Sequence, residues 1–291
     1  MELCNLCPRE CGTDRESRTG VCGEGTFPKI ARAGVHMWEE PCISGEKGSG
    51  TVFFSGCSLK CAYCQNYPIS IGGYGKEITV NRLREIFLEL CNKGVHNINL
   101  VNPTHFVPAI AEALEQPLPV PVVYNSSGYE KAETLKILEG KIQIYLPDMK
   151  YSDSTVAKRY SKAENYPSAA KEAIREMYRQ TGPYQMGEDG ILKSGVIVRH
   201  LILPGNLRNT YGVIDWFAET FQPGQVLFSL MSQYIPSGKA EDFPEINRKI
   251  TAREYRKAQD YLFASGIEDG FVQSRKSAEE SFVPVWDLEG V

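Results

Sequence analysis

The chain has 291 residues, 42% of them hydrophobic and 23% charged, with a formal net charge of -4. This is the composition of a globular protein with an ample core, and its acidic balance argues against a broad electrostatic grip on nucleic acid. It contains no run of about 18 apolar residues, and its opening MELCNLCPRE lacks the apolar centre of a signal peptide. A cytoplasmic protein without a membrane span is therefore expected.

Nine cysteines are present, and in a reducing compartment they read as metal ligands rather than disulfides. Cys4, Cys7, Cys11 and Cys22 fall in residues 1–25 among Gly, Pro and charged residues with no hydrophobic period. Such a segment cannot build a core of its own, and a metal would supply folding energy. The C-x2-C spacing with two further thiols suits tetrahedral zinc or a second iron–sulfur cluster. Residues 26–50 are rich in Gly and carry His36, Glu39, Glu40 and Cys42. Cys42 reads as a small buried hydrophobe or an additional ligand, and His36 as a structural hydrogen-bonder.

The stretch Thr51–Phe54 is a buried strand ending in Ser55-Gly56, and Cys57, Cys61 and Cys64 follow on the loop that leaves it. Three thiolates on one loop can hold three irons of a [4Fe–4S] cube and leave the fourth iron open to another ligand.

A regular alternation follows. A helix capped by Thr79 runs over 80–94, with Leu83, Ile86, Phe87 and Leu90 on one face. Cys91 lies in it as a core residue. Strands are expected at His96–Asn102, Val120–Asn125, Ile142–Asp148, Gly195–Gly205 and Gln225–Tyr234. Helices are expected at His105–Glu115, Glu130–Leu138, Ser154–Gln180, Asn209–Phe221 and Thr251–Ser265. With Thr51–Phe54, that makes six βα units, hence a parallel sheet with right-handed crossovers and an open (β/α)6 partial barrel. The expected organisation is a Cys-rich extension over 1–34, a core over 35–240, and a helix with a tail over 241–291.

Active sites of such sheets gather at the C-terminal ends of the strands. There the sequence has Asn102-Pro103-Thr104, Asn125-Ser126-Ser127, Asp148-Met149-Lys150, Arg199-His200 and Ser232-Gln233. Taken singly, the Asn, Asp and Ser residues could be strand-exit turn residues. Lys150, Arg199 and Gln233 are not, and a carboxylate, an ammonium and a guanidinium together suit a zwitterionic ligand.

The C-x3-C-x2-C run with Tyr63 before the last cysteine resembles the signature of the radical S-adenosylmethionine (SAM) superfamily. GSGTVFFSGCSLKCAYCQN, NLVNPTHF, YLPDMKY and RHLILPG resemble its pyruvate formate-lyase-activating-enzyme-like members with an N-terminal Cys-rich extension. The resemblance implies a TIM-like partial barrel. It also implies a [4Fe–4S] cluster on Cys57, Cys61 and Cys64, with SAM chelating the open iron through its amino and carboxylate groups. By the same token Tyr63 would lie near adenine, Asn125 and Ser127 near ribose, and Asp148 and Lys150 near ribose and methionine. Arg199 would assist the carboxylate, and His200 or Gln233 would face the substrate. The family's Gly-Gly-Glu is replaced by Asn102-Pro103-Thr104, which leaves the SAM amino group to Thr104 or backbone carbonyls. A flavodoxin or ferredoxin would donate the electron, and a glycyl-radical enzyme would be the protein substrate. Modification of another protein, peptide, RNA or small molecule is the alternative, and a non-catalytic metal-bearing interaction or redox-sensing protein is a third reading.

Overall fold

The computed structural model describes residues 3–274 and 284–291. From Leu3 to Pro28 there is neither helix nor strand, as the missing hydrophobic period implies. Among the described residues ten strands follow: β1 (Lys29–His36), β2 (Ser49–Phe54), β3 (Lys76–Glu77), β4 (Ile98–Val101), β5 (Val122–Ser126), β6 (Ile144–Pro147), β7 (Gln185–Met186), β8 (Leu192–Leu201), β9 (Leu227–Met231) and β10 (Gly270–Val272). They form one sheet in the order β10-β9-β8-β6-β5-β4-β2-β1-β3, with β7 paired to β8. The run from β10 to β2 is parallel, and β1 and β3 close one edge in antiparallel register.

The α-helices of the described residues are α1 (Pro41–Ser44), α2 (Tyr67–Ser70), α3 (Val80–Asn92), α4 (Val107–Ala113), α5 (Ala132–Lys136), α6 (Ser154–Ser161), α7 (Tyr166–Thr181), α8 (Leu207–Thr220) and α9 (Ala252–Ala264). The result is the expected α/β fold with a mostly parallel sheet, matching a partial TIM-like barrel. Thr79 caps α3 by accepting from the Arg82 N–H at 3.1 Å. The single helix expected over 154–180 is two, because Lys162 takes a left-handed conformation (φ 50°) and Pro167 opens a second helix. The parallel set has seven strands rather than six. The additional one, β10, has only three residues and follows the last helix, too short for a periodic signal. β1 lies in a stretch expected to be loop, because its Gly and Arg residues obscure the alternation.

Strand alternation divides the core in two. Val52, Phe54, Leu100, Tyr124, Tyr145, Val198 and Phe228 point outward and pack with Leu83, Phe87, Ile110, Ile174 and Phe217 of the helices. Val123, Ile144, Leu146, Ile197 and Leu227 point inward, where Cys42 and Ile43 of α1 join them. These inward apolar residues lie below the polar strand exits at Asn125, Asp148 and Arg199, and α1 packs against them there. Cys42 is therefore a core residue.

The tail returns to the edge of the sheet. Ala33 N donates to Glu289 O (2.8 Å), Arg32 pairs with Asp287 (2.7 Å) and Glu289, and Trp286 lies edge-on to Phe53 at 5.3 Å. This covers an otherwise open strand.

Phe228 is fully buried between β9 and α8. Phe228→Ala should cost about 3–5 kcal/mol, read as a reduced denaturation midpoint in urea with an unchanged slope.

Candidate active site

The strand exits and the cysteine loop enclose a cavity of about 260 Å3. Ten of the twelve side chains expected there, N-terminal cysteines aside, line it: Cys57, Cys61, Tyr63, Cys64, Asn125, Ser127, Asp148, Lys150, Arg199 and Gln233.

The loop is pinned along its whole length. Gly56 N donates to Ile69 O (2.9 Å), Cys57 N to Cys22 O (3.0 Å) and Ala62 N to Tyr160 O (2.8 Å), while Ala62 O accepts from Lys239 N (2.6 Å). Gly238 passes so close, at φ 61°, that a Cβ would stand 2.8 Å from Ala62 O. Ser161 Oγ donates to Cys61 Sγ (3.2 Å), and Ser70 Oγ lies 3.2 Å from Cys64 Sγ. Tyr63 is wedged among Tyr151, Tyr160 and Tyr234, with ring centroids 5.8–6.5 Å apart. Burial raises the Cys57 and Cys61 thiols and pushes that of Cys64 up to about 12. Three thiols on one fixed loop, two buried and one partly buried, with hydroxyls beside two of the sulfurs, fit a cationic iron–sulfur centre, which would ionise them on binding.

Opposite lies a charged network. Arg199 donates from Nε to Asp148 Oδ1 (2.9 Å), from Nη1 to Glu39 Oε2 (3.1 Å) and from Nη2 to Asn125 Oδ1 (2.7 Å). Lys150 Nζ donates to Asp148 Oδ2 (2.5 Å). Burial works against the Asp148 carboxylate, but Arg199 and Lys150 outweigh it and hold the group below its ordinary value. The exit of β6 is fixed by Asn209, whose amide donates to Lys150 O (2.9 Å) and accepts from Ser152 N (2.9 Å). Gly128, at φ 74°, passes so near Asp148 O that any Cβ would collide with it.

Two expected residues are elsewhere. His200 shares its register with outward-facing Val196 and Val198. It is fully buried between Met149 O (2.7 Å) and Thr210 Oγ1 (3.0 Å), and burial lowers it to about 4. Thr104 is fully buried too, donating to Glu130 Oε1 at 2.6 Å beneath the rim. Asn102, at φ 60°, lines the cavity in its stead.

Conversely, Glu39 and Glu40 belong to the site although the strand-exit pattern does not include them. Two adjacent acids ahead of a short apolar turn are the available signal, but nothing in the sequence tells which way that turn folds.

The Cys-rich segment packs on the same rim. Arg9 donates to the carbonyls of Ser58 (2.9 Å), Leu59 (3.2 Å) and Ser161 (2.8 Å), and Arg15 to that of His105 (2.6 Å). Cys11 and Cys22 flank Gly20, and Cys4 hydrogen-bonds with Cys11. Burial pushes Cys7 up to about 11. Burial would raise Cys11 too, but hydrogen bonds from Thr13, Val21 and Cys4 bring it down to about 7. Among the described residues, no three Cys, His, Asp or Glu side chains are arranged to share one metal ion. Nor does any described helix have the length and apolarity to cross a membrane.

A family model for the radical SAM superfamily matches residues 51–191. Uncharacterized protein MJ0674 of Methanocaldococcus jannaschii is 30% identical over 267 residues, covering 88% of this chain and 72% of that protein. Among solved structures, a point mutant of spore photoproduct lyase superposes with a TM-score of 0.50 at 11% identity, over 76% of this chain and 74% of that one. Streptococcus suis SuiB bound to its precursor peptide SuiA gives 0.48 at 12% identity, over 75% of this chain. This chain spans only 46% of SuiB. The chain belongs to the radical SAM superfamily. It is an enzyme of that family, whose members use a [4Fe–4S] cluster and SAM.

Glu130 supplies a pH test of the packing under the rim. Burial raises its carboxyl from 4.5 to about 7, against hydrogen bonds from Thr104 and Tyr124. A raised carboxyl keeps its proton in the folded state while the unfolded chain ionises, so stability falls as pH rises from about 4.5 to about 7. The loss should approach ~3 kcal/mol. Glu130→Gln should flatten melting temperature against pH over that window.

Proposed function

We propose that this chain cleaves SAM reductively at a [4Fe–4S] cluster held by Cys57, Cys61 and Cys64, and that a substrate in the adjoining cavity loses a hydrogen atom. The observation that supports this most is the convergence of the three thiols with Asp148, Lys150, Arg199 and Asn125 on one cavity. When bound, the cluster and SAM supply a one-electron reduction, from a flavodoxin- or ferredoxin-type donor, and a 5′-deoxyadenosyl radical that takes the hydrogen.

The protein's part is to bind and orient. Lys150 carries N–H donors beyond the one engaged by Asp148, which suits a carboxylate. Asn125 and Ser127 offer polar groups to ribose hydroxyls, and Tyr63 offers an aromatic face to a base. Asp148 fixes both cations, so neither can swing away from the ligand. Gln233 lines the substrate end. The aromatic cluster and the pinned loop keep bulk water from the reacting centre.

Within the superfamily, the sequence resemblance to pyruvate formate-lyase-activating-enzyme-like proteins supports a backbone glycine of a glycyl-radical enzyme as the hydrogen donor. For the N-terminal segment we propose a four-thiol metal site on Cys4, Cys7, Cys11 and Cys22, zinc being favoured by the C-x2-C spacing; these thiols are not gathered around one point in this structure, so metal binding would have to draw them together. It would brace the cluster loop through Arg9 and the Cys22 carbonyl. We propose the Cys-rich extension (1–34), barrel core (35–240) and C-terminal helix with tail (241–291) as the units of organisation.

Anaerobic reconstitution tests the reading. Wild-type protein with dithionite and SAM should yield 5′-deoxyadenosine, and Cys61→Ala should yield none; full cleavage by that variant would remove the ligand assignment. Cys7→Ala should retain the cluster absorbance of the central site but melt at a lower temperature. Its metal content should fall by the ion held at the N-terminal site.

A further inference from the structure

A serine or threonine hydroxyl in a helix commonly bonds back to the carbonyl four residues earlier. Thr181 and Thr220, which end α7 and α8, do so, donating to Met177 O (3.1 Å) and Trp216 O (2.6 Å). Ser161 and Ser70, which end α6 and α2, turn toward the cysteine loop instead. Ser161 Oγ lies 3.2 Å from Cys61 Sγ, and Ser70 Oγ lies 3.2 Å from Cys64 Sγ. Both serines are buried, so each sulfur has a fixed hydroxyl beside it rather than a mobile water.

Ser161 is held in place by the chain around it. Arg9 donates to Leu59 O (3.2 Å) and Ser161 O (2.8 Å), which clamps the end of α6 to the cysteine loop. Ala62 N, donating to Tyr160 O (2.8 Å), makes a second tie between the same two segments. Behind the serine, the fully buried Tyr151 phenol stands 2.7 Å from Ser161 Oγ and hydrogen-bonds with Cys61 as well. An ionised thiol only accepts, so beside it the serine proton turns to the sulfur. A phenol so placed can donate to Ser161 or to the sulfur itself, and either draws electron density from Cys61.

We propose that the hydroxyls of Ser161, backed by Tyr151, and of Ser70 raise the reduction potential of a [4Fe–4S] cluster on Cys57, Cys61 and Cys64 by donating to two of its three thiolates. This rests on the ligand assignment proposed above. Hydrogen bonds to the sulfurs are among the determinants of a cluster's potential. The reduced cluster carries one more negative charge than the oxidised one, so a donor at its sulfur stabilises the reduced form more. The serines act through the cysteines, as positioning residues that ease the entry of the electron.

A redox titration of the reconstituted holoenzyme without SAM, followed by electron paramagnetic resonance, tests this, with iron and sulfide measured on each sample. At a fixed potential the ratio of reduced to oxidised cluster should fall several-fold in Ser161→Ala and in Ser70→Ala. It should fall about tenfold in the double variant, a midpoint about 59 mV lower for one electron. Tyr151→Phe should shift the midpoint the same way by less, and Ser161→Thr, which keeps a hydroxyl, should restore it. If Ser161→Ala does not fold, Ser70→Ala and Tyr151→Phe carry the test. An unchanged or raised midpoint in the fully loaded serine variants overturns the proposal. Loss of iron from them at an unchanged midpoint also overturns it, assigning the hydroxyls to loading of the loop. A wild type that holds no cluster on the central thiols would instead sink the proposed function, whereas a loaded wild type with insensitive variants sinks only this inference.

Discussion

A buried guanidinium cannot stand alone, and the centre of this protein is arranged around that constraint. Arg199 rises from β8 into the barrel and is tied to Asp148 at the exit of β6, to Asn125 at the end of β5, and to Glu39 from the segment between β1 and α1. Removing one partner from such a network leaves an uncompensated charge in low dielectric, which is far costlier than the net value of an exposed pair. The network therefore fixes these three parts of the chain relative to β8. It also holds the Lys150 ammonium, through Asp148, facing the cysteine loop.

The second constraint is on the loop itself. Its thiols can serve a cluster only if they are presented together, and the loop has no regular structure to do this. The surrounding chain does it by backbone hydrogen bonds: Cys22 below, Ile69 and Tyr160 beside, Lys239 above, and Arg9 across two carbonyls. These partners come from nearly the whole length of the sequence. The Cys-rich segment is thus physically continuous with the site, and disturbance of one should be felt by the other.

Much of this was legible beforehand. Short continuous apolar runs and longer runs of period 3.6 made the βα alternation legible, because each strand had to be apolar on both faces and each helix on one. The strand-exit residues Asn125, Asp148, Lys150 and Arg199 stood out because polar and charged groups interrupt or end apolar runs there. The alternation even contained the correction for His200. It shares its register with Val196 and Val198, which face the helices, so it could not share a cavity with Arg199. Thr104 was harder to place, because one turn of 3-10 helix after β4 rotates it toward Glu130.

What the sequence determined by itself was local: which segments alternate, where thiols cluster on one loop, and which polar groups leave the ends of strands. Each of these follows from periodicity or spacing along the chain. The tertiary structure decided which of those groups face one another. It brought Glu39 and Glu40 up into the barrel, folded the Cys-rich segment against the cysteine loop, and added β10 and the C-terminal tail at opposite edges of the sheet. These are pairings between residues remote in sequence, set by burial and charge compensation rather than local preference.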